Sequence, residues 1–403
     1  MTAEVGSRPV YLDYQATTPT DPRVVEAMLP YFSVRFGNPH SRSHAFGREA
    51  DDAVEAARRQ VADLIGAEPR EIVFTSGATE SNNLAIKGAA RFLRERKNRI
   101  VTCATEHKCV LESCRRLERE GFQLTIVQVD RNGLVDRAAL AAAIDERTAV
   151  VSIMAVNNET GVIQPVAEIA ALCHEHGALF HTDAAQAAGK VPLDVKAMSI
   201  DLMSISGHKM YGPKGIGALY VRRRPRVRLE ALMDGGGQER GFRSGTLPTP
   251  LCVGLGVACA LAAAEMHEET ARLRKMRDNL LRTIVAAVPQ AVVNGDIERR
   301  IAGNLNIAFP TLESEMLLSR LKDIAISTGS ACTSAAVEPS YVLRAMGLDD
   351  ALAGASVRIG LGRFTTPSEV DYAADRIIHE VRRALDERRV ENNAVDRLAT
   401  AAP

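Results

Sequence analysis

The chain has no net charge: 50 Lys and Arg are balanced by 50 Asp and Glu. No global field therefore draws it toward nucleic acid or an anionic membrane, although a local basic patch is still allowed. It also has no C-x-x-C pair. Its seven cysteines, at positions 103, 109, 114, 173, 252, 259 and 332, are odd in number, which argues against a disulfide framework or a zinc knuckle and fits a reducing compartment. Long apolar runs are missing as well. The longest stretch without a charge, Leu251 to Ala264, is 14 residues, against the roughly 20 needed to cross a bilayer, and it reads as a buried helix. The first residues, Met1-Thr2-Ala3-Glu4-Val5-Gly6, have neither the basic and apolar regions of a secretory signal nor the composition of a transit peptide. A cytoplasmic protein with no membrane association is expected.

What is present is ordinary for a folded enzyme-sized chain. It has 403 residues, 46% of them hydrophobic and 25% charged, a length that at roughly 150 residues per domain predicts two or three domains. From about residue 70 to 220, strand-length apolar runs alternate with helical patterns, the signature of a mostly parallel sheet covered on both faces. The strands are expected at Glu71 to Phe74, Arg99 to Cys103, Gln123 to Val129, Ala149 to Val156, Ala178 to Thr182, Leu202 to Ser206 and Gly217 to Val221. Between them, Leu84 to Arg96, Val110 to Glu120, Arg137 to Asp145 and Ala167 to His176 carry helical spacing. The charged helical stretch Glu265 to Arg282 reads as a connector to a smaller α+β domain. That domain would hold strands at Asn304 to Phe309, Ile324 to Ser327 and Ser356 to Leu361, and a last helix from Pro367 to about Glu387. The expected division is an arm over 1–17, a large domain over 18–264, a small domain over 265–389 and a frayed tail over 390–403.

Three segments of the large domain carry chemistry. Thr75-Ser76-Gly77-Ala78-Thr79-Glu80-Ser81-Asn82-Asn83 follows a strand and opens a helix, so its backbone N–H groups and the Thr79 hydroxyl suit a phosphate, although plain helix capping explains the same residues. Phe180-His181-Thr182-Asp183 ends an apolar strand on a carboxylate, in the place where open α/β sheets meet ligands. Ser206-Gly207-His208-Lys209 puts a lysine in a glycine-rich turn after another strand, a Schiff-base candidate or a solvated lysine. Together they supply a phosphate cradle, an anion for a pyridinium nitrogen and an amine for an aldehyde, the three things pyridoxal phosphate requires.

The chain resembles the cysteine desulfurases of the housekeeping iron-sulfur-cluster-assembly type, within the fold-type I (aspartate aminotransferase-like) pyridoxal-phosphate enzymes. The resemblance runs from Tyr11-Leu12-Asp13 to about Thr366. Its pieces include Phe36-Gly37-Asn38-Pro39-His40-Ser41, Thr105-Glu106-His107, Val156-Asn157-Asn158-Glu159, Arg243-Ser244-Gly245-Thr246 and Ser330-Ala331-Cys332-Thr333-Ser334. It implies that Lys209 forms the internal aldimine, Asp183 pairs with the ring nitrogen and Gln186 bonds the ring hydroxyl. Ala78, Thr79, Ser206, Gly207 and His208 would hold the phosphate, with Thr246 from the second subunit of a homodimer. His107 would stack on the ring and shuttle protons, Asn158 would touch cofactor and substrate, and Arg358 would bind the carboxylate of L-cysteine. Cys332 would be the nucleophile that takes the sulfur. No metal is implied in the isolated enzyme, Cys332 being at most a transient ligand of a cluster shared with an iron-sulfur scaffold protein.

On the residues alone, some of these positions have simpler readings. His107 fits a structural histidine as well as a catalytic one. Arg358, in Ser356-Val357-Arg358-Ile359-Gly360, is either a carboxylate clamp or an arginine leaving an edge strand. Cys332 lies among small residues that leave a thiol accessible, and is a nucleophile or a bystander. Cys252 and Cys259 read as core. His174-Glu175-His176 points its imidazoles to different helix faces and makes no shared metal site. The Arg222 to Arg228 run has no interleaved aromatics and predicts no direct nucleic-acid binding. Rival readings are a selenocysteine lyase-like or accessory desulfurase, a class V aminotransferase, and a non-catalytic sulfur carrier or scaffold; Lys209 speaks against the last. After Arg383 the tail lacks the aromatic-containing extension that helps typical members dock their scaffold.

Overall fold

Residues 72–221 build a seven-stranded mixed sheet whose strands, in spatial order, begin at residues 72, 217, 202, 179, 148, 99 and 123. The computed structural model describes residues 8–328 and 339–400, the last ten of these by their backbone alone. Six strands of the sheet run in one direction; Gly217–Val221 alone is reversed, antiparallel to both of its neighbours. Thr148–Ser152, Leu202–Ser206 and Gly217–Val221 are buried at every residue, as expected where helices cover both faces. The edge strand Gln123–Val127 is the most open.

Arg99–Cys103, Leu202–Ser206 and Gly217–Val221 match the expected bounds residue for residue. Two strands are shorter than expected. Beyond Val127, Val129 makes only a single bridge to Val135, and beyond Ser152, Val156 bridges Ile163. In both places the chain turns away before the apolar pattern ends.

The helix Thr249–Ala287 is one element, joining the apolar helix and the charged helical connector that the sequence reads in succession. Its first half places Cys252, Leu255, Cys259 and Ala262 in the core beneath the large sheet, and its second half places Leu273, Met276, Leu280 and Ile284 in a second core. By length and composition this helix could cross a membrane. Here it is a core helix, packed along Ala45–Leu64 and against Pro22–Met28. The second core also gathers Leu12, Leu305, Ile307, Val357, Ile359 and Ile377. It lies on a three-stranded antiparallel sheet with Ser356–Gly360, Asn304–Ala308 and Val292–Val293 in that order. The arm strand Val10–Tyr11 pairs in parallel with Ile324–Ala325. The last helix runs from Pro367 to Thr400, past the end near Glu387 read from the sequence, so residues 390–400 are helical rather than frayed.

Candidate active site

Leu179–Asp183 and Leu202–Ser206 are adjacent parallel strands with Asp183 opposite Ser204, so Asp183 and Ser206 emerge together at one end of the sheet. Asp183 is buried. Its Oδ1 accepts the Ala185 N–H at 2.9 Å and its Oδ2 accepts Asn82 Nδ2 at 2.7 Å. Asn82, also buried, comes from the helix Ala78–Leu93 and touches Cys109 Sγ at 3.1 Å. Asn82 lies in the Thr75 to Asn83 segment, but the sequence alone gives neither it nor Cys109 a role.

The Ala78–Leu93 helix begins at Gly77, whose φ of 149° only glycine adopts readily, and no side chain caps it. Glu80 folds back instead, accepting the Ser76 N–H at 2.7 Å and pairing with Arg243 at 2.8 Å. Gly217 closes the other side of this turn: a Cβ on it would stand 2.7 Å from Gly77 Cα. The result is a narrow backbone turn with uncapped helical N–H groups at Ala78 and Thr79 beside Ser206, an arrangement suited to an anion. Capping by a side chain, the simpler reading of this segment, is not what the structure has.

Lys209 closes the short helix Gly207–Lys209 directly after Ser206. Its Nζ donates to the carbonyls of Gln15 at 2.6 Å and Ala16 at 2.8 Å. The arm also holds His208, through Thr17 Oγ1 against Nδ1 at 3.0 Å and through the Thr18 N–H to the His208 carbonyl at 2.9 Å. Burial, followed by the nearby Lys209 charge, pushes the His208 imidazole down to about 4, so it is neutral at pH 7. Gln186 is buried, its Nε2 donating to the Gln15 carbonyl at 2.8 Å and its Oε1 accepting Lys190 Nζ at 2.8 Å.

His107 caps the helix Lys108–Arg119, with Nδ1 accepting the Cys109 N–H at 3.2 Å and lying 3.0 Å from Cys109 Sγ. Behind it Glu106 is fully enclosed. Burial raises its carboxyl well above the usual range. Arg358 is buried in its strand. It donates to the Asn158 carbonyl at 2.9 Å and to Asp13 Oδ1 at 2.8 Å, so its side chain is held inside the protein rather than leaving the strand for solvent. Asn158 Oδ1, Arg358 Nε and Asn82 Oδ1 are buried and have no hydrogen-bond partner among the described residues.

Thr246 is exposed on its own chain, three residues after Arg243. Cys332 lies outside the described residues. Both flanks of its segment are fixed to the site: Ser327 pairs with the Arg358 backbone and donates to Asp13 Oδ1 at 3.1 Å, while Ser340 donates to Glu159 and Tyr341 to the Glu106 carbonyl. The other six cysteines are free thiols, and all but Cys109 are buried. Among the described residues no cluster of His, Cys, Asp and Glu has the makings of a metal site.

The residues present fit pyridoxal phosphate: an uncapped anion turn, a buried carboxylate and a lysine amine meet at one sheet end, with orphaned polar atoms at Asn158 and Arg358. Residues 10–373 match the family model described as aminotransferase class-V. A cysteine desulfurase of Mus musculus is 61% identical over 381 residues, covering 94% of this chain and 83% of its own. A cysteine desulfurase IscS of Rickettsia bellii is 58% identical over 378 residues, covering 94% and 92%. The solved structure of a NifS-like protein superposes with a TM-score of 0.86 at 38% identity, over 92% of this chain and 98% of that one.

Proposed function

Since the chain belongs to the aminotransferase class-V family, we propose that the site is that of a pyridoxal-phosphate-dependent cysteine desulfurase, converting L-cysteine to L-alanine with transfer of sulfur to Cys332. The observation that carries this reading is the meeting of Lys209, Asp183 and the Gly77 turn at one end of the sheet. Asp183, oriented by Asn82 and the Ala185 N–H, would pair with the ring nitrogen, Gln186 Nε2 would meet the ring hydroxyl, and Lys209 would supply the amine for the aldehyde. Ala78, Thr79, Ser206, Gly207 and His208 receive the phosphate, His208 as a neutral donor, with Thr246 reaching in from a second copy. When bound, the cofactor supplies the electron sink that the Cα and Cβ chemistry needs.

Arg358 and Asn158 hold the substrate carboxylate, the arginine through the fork that Asp13 now shares. Lys209 Nζ would take the Cα proton, and His107, placed at a helix start, would move protons at the substrate. The Cys332 thiolate then attacks the substrate sulfur. The Cβ–S bond breaks, the new S–S bond forms on the enzyme, and the three-carbon fragment leaves as L-alanine after protonation.

A homodimer is part of the reading. Leu29, Phe32, Val34, Phe36 and Phe46 are each more than half exposed, and the rings of Phe36 and Phe46 lie 5.6 Å apart; a second copy covers such a patch economically. The persulfide sulfur passes on to an iron-sulfur scaffold protein and to other acceptors, such as those of tRNA thiolation or thio-cofactor synthesis, in the cytoplasm. The domain division stays as read from the sequence, at 264/265, within the long helix.

The test is a spectrum of the reconstituted protein before and after L-cysteine, with alanine measured and with sulfide measured after an added thiol reduces the persulfide. Wild type gives both products. Cys332→Ser keeps the cysteine-induced spectral change and loses alanine and sulfide to background. Substantial turnover by Cys332→Ser would remove Cys332 from its role.

A further inference from the structure

Gln186 has two chemically opposite ends, and Lys190 fixes which end faces the cofactor site. The Lys190 ammonium, a donor only, gives a hydrogen bond to Gln186 Oε1 at 2.8 Å. The amide nitrogen is thereby turned the other way, where it donates to the Gln15 carbonyl at 2.8 Å. That carbonyl also accepts Lys209 Nζ at 2.6 Å, so Lys190, Gln186, Gln15 and Lys209 form one chain of hydrogen bonds. Gln186 is buried, leaving little water to satisfy Oε1 if Lys190 were lost.

We propose that Lys190 is a positioning residue for the cofactor: it holds the Gln186 amide with its N–H groups toward the ring hydroxyl and polarises them as donors. This rests on the assignment of Gln186 Nε2 to the ring hydroxyl made above. Only one of the two Nε2 hydrogens is used on Gln15, so the other is available to the ring oxygen. Lys190 sits beside a cavity of about 30 Å³ that is also lined by Gln15, Tyr211 and Glu269. Burial, then repulsion from Lys209, pushes its ammonium down to about 7; Glu269 pulls it up and Arg358 pushes it further down. Burial and the neighbouring positive charges thus work against the Lys190 ammonium, and the bond to Gln186 Oε1 helps to offset that cost.

Bound pyridoxal phosphate would supply a chromophore whose visible absorption shifts with pH, as loss of the proton shared with the ring oxygen leaves the negative charge there unshielded. A polarised N–H donor and a nearby cation both favour the deprotonated form, so their loss raises the midpoint. Lys190→Met is expected to raise it by about half to one pH unit, the share of one hydrogen bond. It is also expected to weaken pyridoxal phosphate binding to the apo-protein, read by titration, about three- to tenfold. Lys190→Arg, which keeps charge and donor, should restore both. Lys190→Gln replaces the methionine variant if that does not accumulate, with the same direction of shift. An unchanged midpoint in the Lys190 variants while Gln186→Leu raises it would overturn the role of Lys190 alone. No shift in Gln186→Leu either would overturn the Gln186 assignment beneath it.

Discussion

Replacing Glu239 by alanine removes the carboxylate that fixes the glycine-rich loop ahead of Thr246 to the strand Ile72–Thr75. Glu239 pairs with Arg58 through two bonds of 2.7 Å, and the side chains are only 2% and 4% exposed. Its Oε2 also accepts the Phe74 N–H at 2.7 Å. Arg58 lies over the Phe74 ring at 4.7 Å and donates to the Ile72 carbonyl. Glu239 and Arg240 have φ values of 48° and 60°, a strained backbone that persists only where side-chain bonds hold it. Removing one partner of a buried pair costs about 3–5 kcal/mol, because the other charge stays behind. Glu55, bonded to Arg58 Nε at 2.9 Å, keeps one partner on the guanidinium and lowers that figure, whereas the orphaned Phe74 N–H raises it. The expected loss in Glu239→Ala is about 3–4 kcal/mol, read by urea unfolding at fixed cofactor. Adding Arg58→Met should recover about 2 kcal/mol or more, since an apolar replacement leaves no buried charge. A loss under about 1 kcal/mol, or strictly additive effects, would refute the reasoning.

Asn82→Leu deletes the donor to Asp183 Oδ2 and should weaken cofactor binding about tenfold or more, the worth of a hydrogen bond to a charged group; unchanged affinity in a titration of the apo-protein would contradict this. Burial pushes His181, bonded to Ser152 and Ser204, from 6.5 down to about 3. Below pH 6.5 the unfolded chain takes up a proton that the fold refuses, so this share of stability falls as pH drops toward 3. It amounts to about 2 kcal/mol near pH 5, and His181→Asn should lose correspondingly less between about pH 7.5 and pH 5 in urea unfolding. Equal losses in both proteins would contradict it.

The strand ends were legible because buried parallel strands are short apolar runs cut off by Ser, Asp or Gly: Leu202–Ser206 and the approach to Asp183 read directly. The long helix was split at Glu265 because charge begins there. Its exposed side carries that charge while Leu273, Met276, Leu280 and Ile284 continue the buried stripe. Asp183 and Lys209 stood out by type and place. Asn82, Lys190 and Asp13 did not, since each acts on a partner far along the chain: Asn82 meets Asp183 across 101 positions and Asp13 meets Arg358 across 345. The Gln15 and Ala16 carbonyls that hold Lys209 leave no mark in the side-chain sequence at all.

The central claim is that Lys209 is the amine that holds the cofactor, and borohydride reduction of the reconstituted protein followed by peptide mass mapping tests it most directly. Lys190 is the informative competitor, a neighbouring amine held near neutrality by burial and so chemically ready to react. It faces Gln186, whereas Lys209 follows Ser206 at the end of the strand beside Asp183. The account predicts the reduced phosphopyridoxyl group on the peptide containing Lys209 and its absence from Lys209→Ala. Labelling of Lys190 in the wild type, or no labelled lysine after cofactor loading, would contradict it.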